Sequence, residues 1–105
     1  MNDLNDPQFR KERILILQKE IRTYENYLNI ISNVGGRLNW TIQQLDVDYG
    51  SKEKRFAEMK RNLILIVKDL ESMTLEYQMR IKDAEFHIIS LKAYTPLSNS
   101  FNTKS

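Results

Sequence analysis

Residues 14–45 read ILILQKEIRTYENYLNIISNVGGRLNWTIQQL, and large apolar side chains recur in them at alternating steps of three and four residues. The positions of this series are Ile14, Leu17, Ile21, Tyr24, Leu28, Ile31, Gly35, Leu38, Ile42 and Leu45. An average step of 3.5 residues is the period of a coiled-coil seam, because it keeps one edge of an α-helix facing its neighbour. The segment therefore predicts one long helix, in which only Gly35 lacks a large side chain at a seam position.

The ends of this helix also follow from the sequence. We expect residues 1–6 to be a flexible lead and Asp6-Pro7 to start the helix, since Asp accepts from free N–H groups and Pro fits the first turn. The stretch Asp46-Val47-Asp48-Tyr49-Gly50-Ser51 favours a turn, because Gly can take positive φ and Asp is common in turns. The first helix is predicted at about 7–46 and the turn at 47–51. The predicted hairpin turn is formed by Asp48, Tyr49 and Gly50.

A second helix is predicted at about 52–94, with Ser51 as its cap and Glu53 in its first turn. Its predicted seam positions are Phe56, Met59, Leu63, Ile66, Leu70, Met73, Tyr77, Ile81, Ala84, Ile88 and Leu91. Two successive steps of four around Tyr77 are a stutter, which unwinds a supercoil locally. Pro96 ends the helix, and the Ser/Asn/Thr-rich tail 95–105 is predicted to be disordered.

The two predicted helices match in length, which favours an all-α fold: two long antiparallel helices in a coiled-coil-like hairpin. A turn at Gly35-Gly36 is the competing possibility, but it would give two very unequal helices. Pairing about Tyr49 makes facing residue numbers sum to roughly 98, so small residues at Gly35-Gly36 would oppose the bulky run Leu63–Val67. Trp40 would then lie near Phe56 and Met59.

The chain carries more apolar residues than one hairpin seam uses. The runs Ile14–Leu17 and Leu63–Val67 place apolar side chains all round their turns, and Leu75 and Met79 add to the second helix. Contiguous apolar surface of this kind favours a second interface over scattered surface residues. The candidate partner-interface residues are Ile16, Tyr27, Ile30, Val34, Ile64, Leu65, Phe86 and Ile89.

The residues of catalysis and metal binding are scarce. There is no cysteine and a single histidine, His87, with only Asp83 one turn away as a second ligand. Asp46 and Asp48 suit a turn, and Gly35-Gly36 lacks the Lys and Ser/Thr of a phosphate loop. We therefore expect no enzyme activity, no catalytic site, no cofactor and no metal.

The charge pattern gives little reason to expect nucleic acid or a membrane as the partner. The net charge is +2, and signs alternate along the chain. The basic group Lys52, Lys54, Arg55, Lys60 and Arg61 is interrupted by Glu53 and Glu58, so nucleic-acid binding is a minor alternative. No apolar run is long enough to span a membrane, and the acidic start does not resemble a secretion signal. The expected location is the cytoplasm, with export alongside a partner as the other possibility.

With two long helices around a short turn, no cysteine and a loose tail, the chain resembles the WXG/ESX-type proteins of bacterial type VII secretion. More narrowly, it is similar to the Lap-type partner proteins of LXG toxins. Asp48-Tyr49-Gly50 stands where the larger family has Trp-x-Gly, and Tyr77 and Tyr94 are followed four residues later by Ile81 and Ser98 rather than by an acidic export residue. These departures favour an accessory that acts through a partner.

The resemblance implies a non-enzymatic targeting or chaperone protein that packs beside the helical domain of a secreted toxin, as a hetero-oligomer. The alternative is a structural coiled-coil subunit of a larger complex, or a homodimer that forms a four-helix bundle.

Overall fold

The structure is a computed structural model that describes residues 3–49 and 53–94. In these ranges the protein is an all-α hairpin. Helix α1 spans Pro7–Gln44 and helix α2 spans Lys54–Lys92. A 3-10 turn, Asp3–Asn5, precedes α1, and a π-helical turn, Leu45–Tyr49, follows it. The predicted fold class is confirmed, and the described ranges contain no strand.

The start of α1 is held by the predicted cap. The Asp6 carboxylate accepts a hydrogen bond of 3.0 Å from the Gln8 backbone N–H, and Pro7 begins the helix. Pro lacks the N–H that would be unpaired there, and its fixed φ suits a helix.

The turn between the helices differs in detail from the prediction. The π-helical turn widens the end of α1 and contains Asp48 and Tyr49. Glu53 caps α2 in place of Ser51, because its carboxylate accepts from the Arg55 N–H at 3.4 Å. Gly50, Ser51 and Lys52 lie outside the described residues, as does the predicted disordered tail at 95–105.

At the open end of the hairpin, residues from both ends of the chain are joined. The Tyr94 hydroxyl donates to Asn5 Oδ1 at 2.7 Å, and the Arg10 guanidinium lies 5.1 Å from the centre of the Tyr94 ring. Arg10 also donates to the Leu4 carbonyl. Residues 3–5 form a 3-10 turn that contacts Tyr94, just beyond the end of α2, where the sequence predicts a flexible lead.

The seam of α1 is as predicted. All ten positions from Ile14 to Leu45 are buried or half-buried, with Leu17, Ile31 and Leu45 the most enclosed. Gly35 and Gly36 lie within a continuous helix, so they do not break it.

The seam of α2 differs from the prediction at three positions. Met59, Ile66 and Met73 are exposed, and their neighbours Lys60, Val67 and Thr74 are half-buried instead. The observed seam is Phe56, Lys60, Leu63, Val67, Leu70, Thr74, Tyr77, Ile81, Ala84, Ile88 and Leu91. These positions alternate steps of four and three throughout, so the predicted stutter is wrong.

Two polar residues can occupy this seam because their polar groups are bonded. Lys60 forms an ion pair with Asp46 at the end of α1, and the Thr74 hydroxyl donates to the Leu70 carbonyl at 2.9 Å. A polar group that leaves water without a hydrogen-bond partner is destabilising, and a partner removes most of that free-energy cost. The apolar neighbours of these two residues, Met59 and Met73, are left on the surface.

The helices are also shifted relative to the predicted pairing. Tyr24 stacks on Tyr77, a pair whose numbers sum to 101 instead of roughly 98. Gly35 accordingly lies closest to Leu70, and nothing lies within 4 Å of a Cβ placed on Gly36. Trp40 is 63% exposed and shares a shallow groove with other α1 residues only, so the predicted packing near Phe56 and Met59 is wrong.

The hairpin is only two helices thick, 21 × 18 Å across. Its main buried cluster is Leu17, Ala84, Ile88 and Leu91, with Ile14 and Ile21 packed against it, towards the open end. No large side chain in the described ranges is completely buried. A single seam therefore supplies the hydrophobic stabilisation.

Two adjacent isoleucines test this seam. Ile88 is buried, whereas Ile89 is 63% exposed. We expect Ile88→Ala to lower the free energy of unfolding by about 2–3 kcal/mol, through lost burial and a residual cavity. Ile89→Ala, the matched control, should change it by less than about 0.5 kcal/mol. Urea denaturation followed by circular dichroism measures both, and equal effects would contradict the seam.

The two glycines of α1 allow a second test. A Cβ on Gly35 would make ordinary van der Waals contact with Leu70 Cδ1 at 4.0 Å, and one on Gly36 would meet open space. Gly35→Ala and Gly36→Ala should each raise the free energy of unfolding by about 0.5–1 kcal/mol, because Ala favours the helix. A loss of stability in Gly35→Ala would mean that the helices approach more closely than this structure has them.

Candidate protein-binding surfaces

A groove with an aromatic wall lies on one side of the hairpin, near the middle of its length. The Tyr24 and Tyr77 rings stack across the seam, with centroids 5.6 Å apart. The Tyr27 ring packs against both, at 6.4 Å from Tyr24 and 5.4 Å from Tyr77. The groove has a volume of about 610 Å³, and the rest of its lining is Ile16, Lys19, Glu20, Thr23 and Arg80.

Arg80 closes one end of this aromatic wall. Its guanidinium lies 5.8 Å from the ring centres of both Tyr24 and Tyr77, and it donates to Glu76 Oε1 at 2.7 Å. A hydrogen bond with Tyr24, and then the charge of Glu76, raise the pKa of Arg80 above its ordinary value. Arginine is a cation at any physiological pH, and here its charge lies beside two tyrosine rings and the Glu76 carboxylate.

The same side of the hairpin continues towards the turn as an apolar surface. On α1, Tyr27, Ile30 and Val34 follow one another at steps of three and four, and all three are exposed. On α2, positions at seven-residue intervals before Arg80 are Met73, Ile66 and Met59, which repeat its place on the helix. We call this surface the apolar flank: Tyr27, Ile30, Val34, Met59, Ile66 and Met73.

The opposite side of the seam has a different character. A groove of about 610 Å³ there is lined mainly by polar or small residues at its rim, including Ser32, Gly36, Asn39, Glu71 and Gln78. The two edges of the hairpin are therefore chemically distinct. Removing the apolar edge from water is the more favourable of the two in free energy.

A second exposed apolar surface lies on the side of α2 that faces away from α1. We call it the outer face: Leu65, Leu75, Met79, Phe86 and Ile89. These five side chains are between 59% and 71% exposed. Their spacing follows the helical period, so they form one stripe along α2.

The structure divides the eight predicted interface residues between these surfaces. Ile16, Tyr27, Ile30 and Val34 lie along the side that carries the apolar flank, with Ile16 in the tyrosine groove. Leu65, Phe86 and Ile89 belong to the outer face. Ile64 is half-buried and lies one heptad before Glu71, on the polar edge, so it joins neither surface. The eight residues therefore do not form one continuous patch.

The α2 half of the apolar flank is not among the interface residues predicted from the sequence. Its members Met59, Ile66 and Met73 are predicted as seam positions instead, because they are large and apolar. The residue that follows each of them, which is the true seam residue, is smaller or more polar. The signal that separates the two sets is the unbroken alternation of four and three over all of α2.

The remaining candidate chemistry stays dispersed. His87 and Asp83 are both exposed, and the described residues contain no group of three His, Asp or Glu side chains that could hold a metal ion. Asp46 pairs with Lys60, which removes that lysine from the basic group considered for nucleic acid. Neither described helix is apolar enough to cross a membrane.

Comparisons of the chain with protein-family models, with curated proteins and with solved structures give no match.

The tyrosine stack has a measurable coupling. Replacing Tyr24 and Tyr77 by Leu, singly and together, should give a double-mutant coupling energy of about 0.5–1.5 kcal/mol in urea unfolding, because either single change already removes the stacked pair. Tyr27→Leu with Ile88→Ala is the control pair, and its effects should add. A coupling indistinguishable from the control would contradict the stack.

Proposed function

We propose that this chain is a non-enzymatic helical partner protein, which packs its apolar flank against a helix of a larger protein. The observation that carries the proposal is the contrast between the two edges of the hairpin. One edge presents Tyr27, Val34 and Ile66 to solvent, and the other is polar around Ser32 and Gln78. A third helix laid along the apolar edge would contact α1 and α2 together.

The area involved suits a stable complex. If the six flank side chains each lose roughly 70 Å² of apolar surface and the partner loses as much, burial contributes about 20 kcal/mol at ~25 cal/mol per Å². Association costs on the order of 4–15 kcal/mol, so a net attraction remains. Binding a partner helix would therefore bury apolar surface that the single seam between α1 and α2 leaves exposed.

The resemblance to Lap-type partner proteins suggests what the larger protein is. In that family, such hairpins lie beside the helical domain of an LXG toxin and help to present it for type VII secretion. We propose this role for the present chain, with the cytoplasm as the place where the complex forms and export with the toxin as its outcome. The exposed flank supports the packing step of this proposal.

Co-expression with the helical domain of a toxin encoded beside this gene tests the proposal. Light scattering should give the mass of a heterocomplex, and Val34→Asp or Ile66→Asp should weaken its affinity at least roughly tenfold, since each buries an unpaired charge.

The matched controls place the same charge on the polar edge. Ser32→Asp and Gln78→Asp should leave the affinity within about twofold of the parent chain, because their side chains stay in water. A chain that is a stable dimer on its own, and that Val34→Asp converts to a monomer, would contradict the proposal and assign the flank to a homodimer.

A further inference from the structure

The outer face of α2 is separate from the apolar flank. Its five apolar residues lie on the side of α2 turned away from α1, and they extend from Leu65 to Ile89. At ~1.5 Å per residue this is about 36 Å, which is seven turns of helix. Ser72 continues the stripe, and Lys68 and Lys82 are the two charged residues within it. The surface has the size and shape of a seam for another helix.

Two rows of mostly acidic residues border this stripe. Asp69, Glu76 and Asp83 follow one edge at intervals of seven residues, and Glu71, Gln78 and Glu85 follow the other edge at the same interval. In the described part of the chain, Glu76 pairs with Arg80, while the carboxylates of Asp69, Glu71, Asp83 and Glu85 make no ion pair or hydrogen bond. Four negative charges therefore flank the apolar stripe without a partner.

This charge pattern opposes a second copy of the chain on the same face. In an antiparallel pair of helices each bordering row faces its own copy, and in a parallel pair each row faces the other. Both arrangements place carboxylates against carboxylates, which is destabilising. An anionic membrane surface is opposed for the same reason, since helices that lie on membranes carry Lys and Arg beside their apolar side.

We propose that the outer face of α2 is a docking site for a basic amphipathic helix of another protein. Its apolar side chains pack on Leu75, Met79 and Phe86, and its Lys or Arg residues pair with the bordering carboxylates. The hairpin then has two docking surfaces, the apolar flank and this one. Because they do not share residues, a helix on the outer face leaves the flank open.

Two synthetic peptides of 28 residues test this site on the full 105-residue chain. Both have Leu at the two seam positions of each heptad; the basic peptide has Lys at the bordering positions and the acidic peptide has Glu there. Fluorescence anisotropy should show the basic peptide binding at least roughly tenfold more tightly, with a preference that falls as salt rises.

Variants of the chain identify the surface. Phe86→Ser should weaken the basic peptide roughly tenfold or more, whereas Ile30→Ser, on the flank, should leave its affinity unchanged. Asp69→Lys with Asp83→Lys should reverse the preference, so that the acidic peptide binds more tightly. All these positions are exposed, and circular dichroism confirms that each variant is folded.

Three results would overturn the proposal. Equal affinity for the two peptides would mean that charge does not select the occupant. Binding that Ile30→Ser weakens and Phe86→Ser does not would place the peptide on the flank. A dimer of the chain that Phe86→Ser dissociates would show that a second copy covers the outer face. The toxin-domain experiment uses flank variants, so either proposal can fail while the other stands.

Discussion

The single seam between α1 and α2 is the interaction on which the rest of this protein depends. In a rod two helices thick each helix has one neighbour, so only about a third of its circumference can leave water. The closest approach to a true core is Leu17 with Ala84, Ile88 and Leu91. Any apolar residue outside the seam must either stay exposed to water or be buried against another protein. The apolar flank and the outer face both consist of such residues.

The seam also explains why the tyrosines occupy the middle of the hairpin. Near Gly35 and Thr74 the seam has little apolar volume, and a groove runs alongside it. Tyr24 and Tyr77 fill the next layers towards the open end with broad stacked rings, and the Arg80 guanidinium lies 5.8 Å from the centre of each ring. Aromatic side chains of this kind give a large contact area in a thin structure.

Much of this structure could be predicted from the sequence, and the failures have a common cause. The first seam, the Asp6-Pro7 start and the antiparallel pairing follow from periodicity and capping, which are local properties. The choice between Ile66 and Val67, or between Met73 and Thr74, is not local, because it depends on which neighbour the other helix contacts. Lys60 could be placed in the seam only with knowledge that Asp46 lies across from it. The division of the candidate interface into two surfaces follows from the same choice, since it moves three residues out of the seam.

The contact of Tyr94 with Asn5 and Arg10 has a consequence for how the hairpin moves. A helical hairpin with a covalent turn at one end usually separates first at the other, where nothing joins its helices. Here that end is held by the Tyr94 hydroxyl, by the Arg10 cation and by the buried cluster next to them. The segment with the fewest restraints therefore lies between the tyrosine stack and the turn, around Gly35, and backbone amides there should exchange with deuterium faster than those near Leu17 or Ile88. We therefore expect local opening to begin in this segment while both ends of the hairpin stay closed.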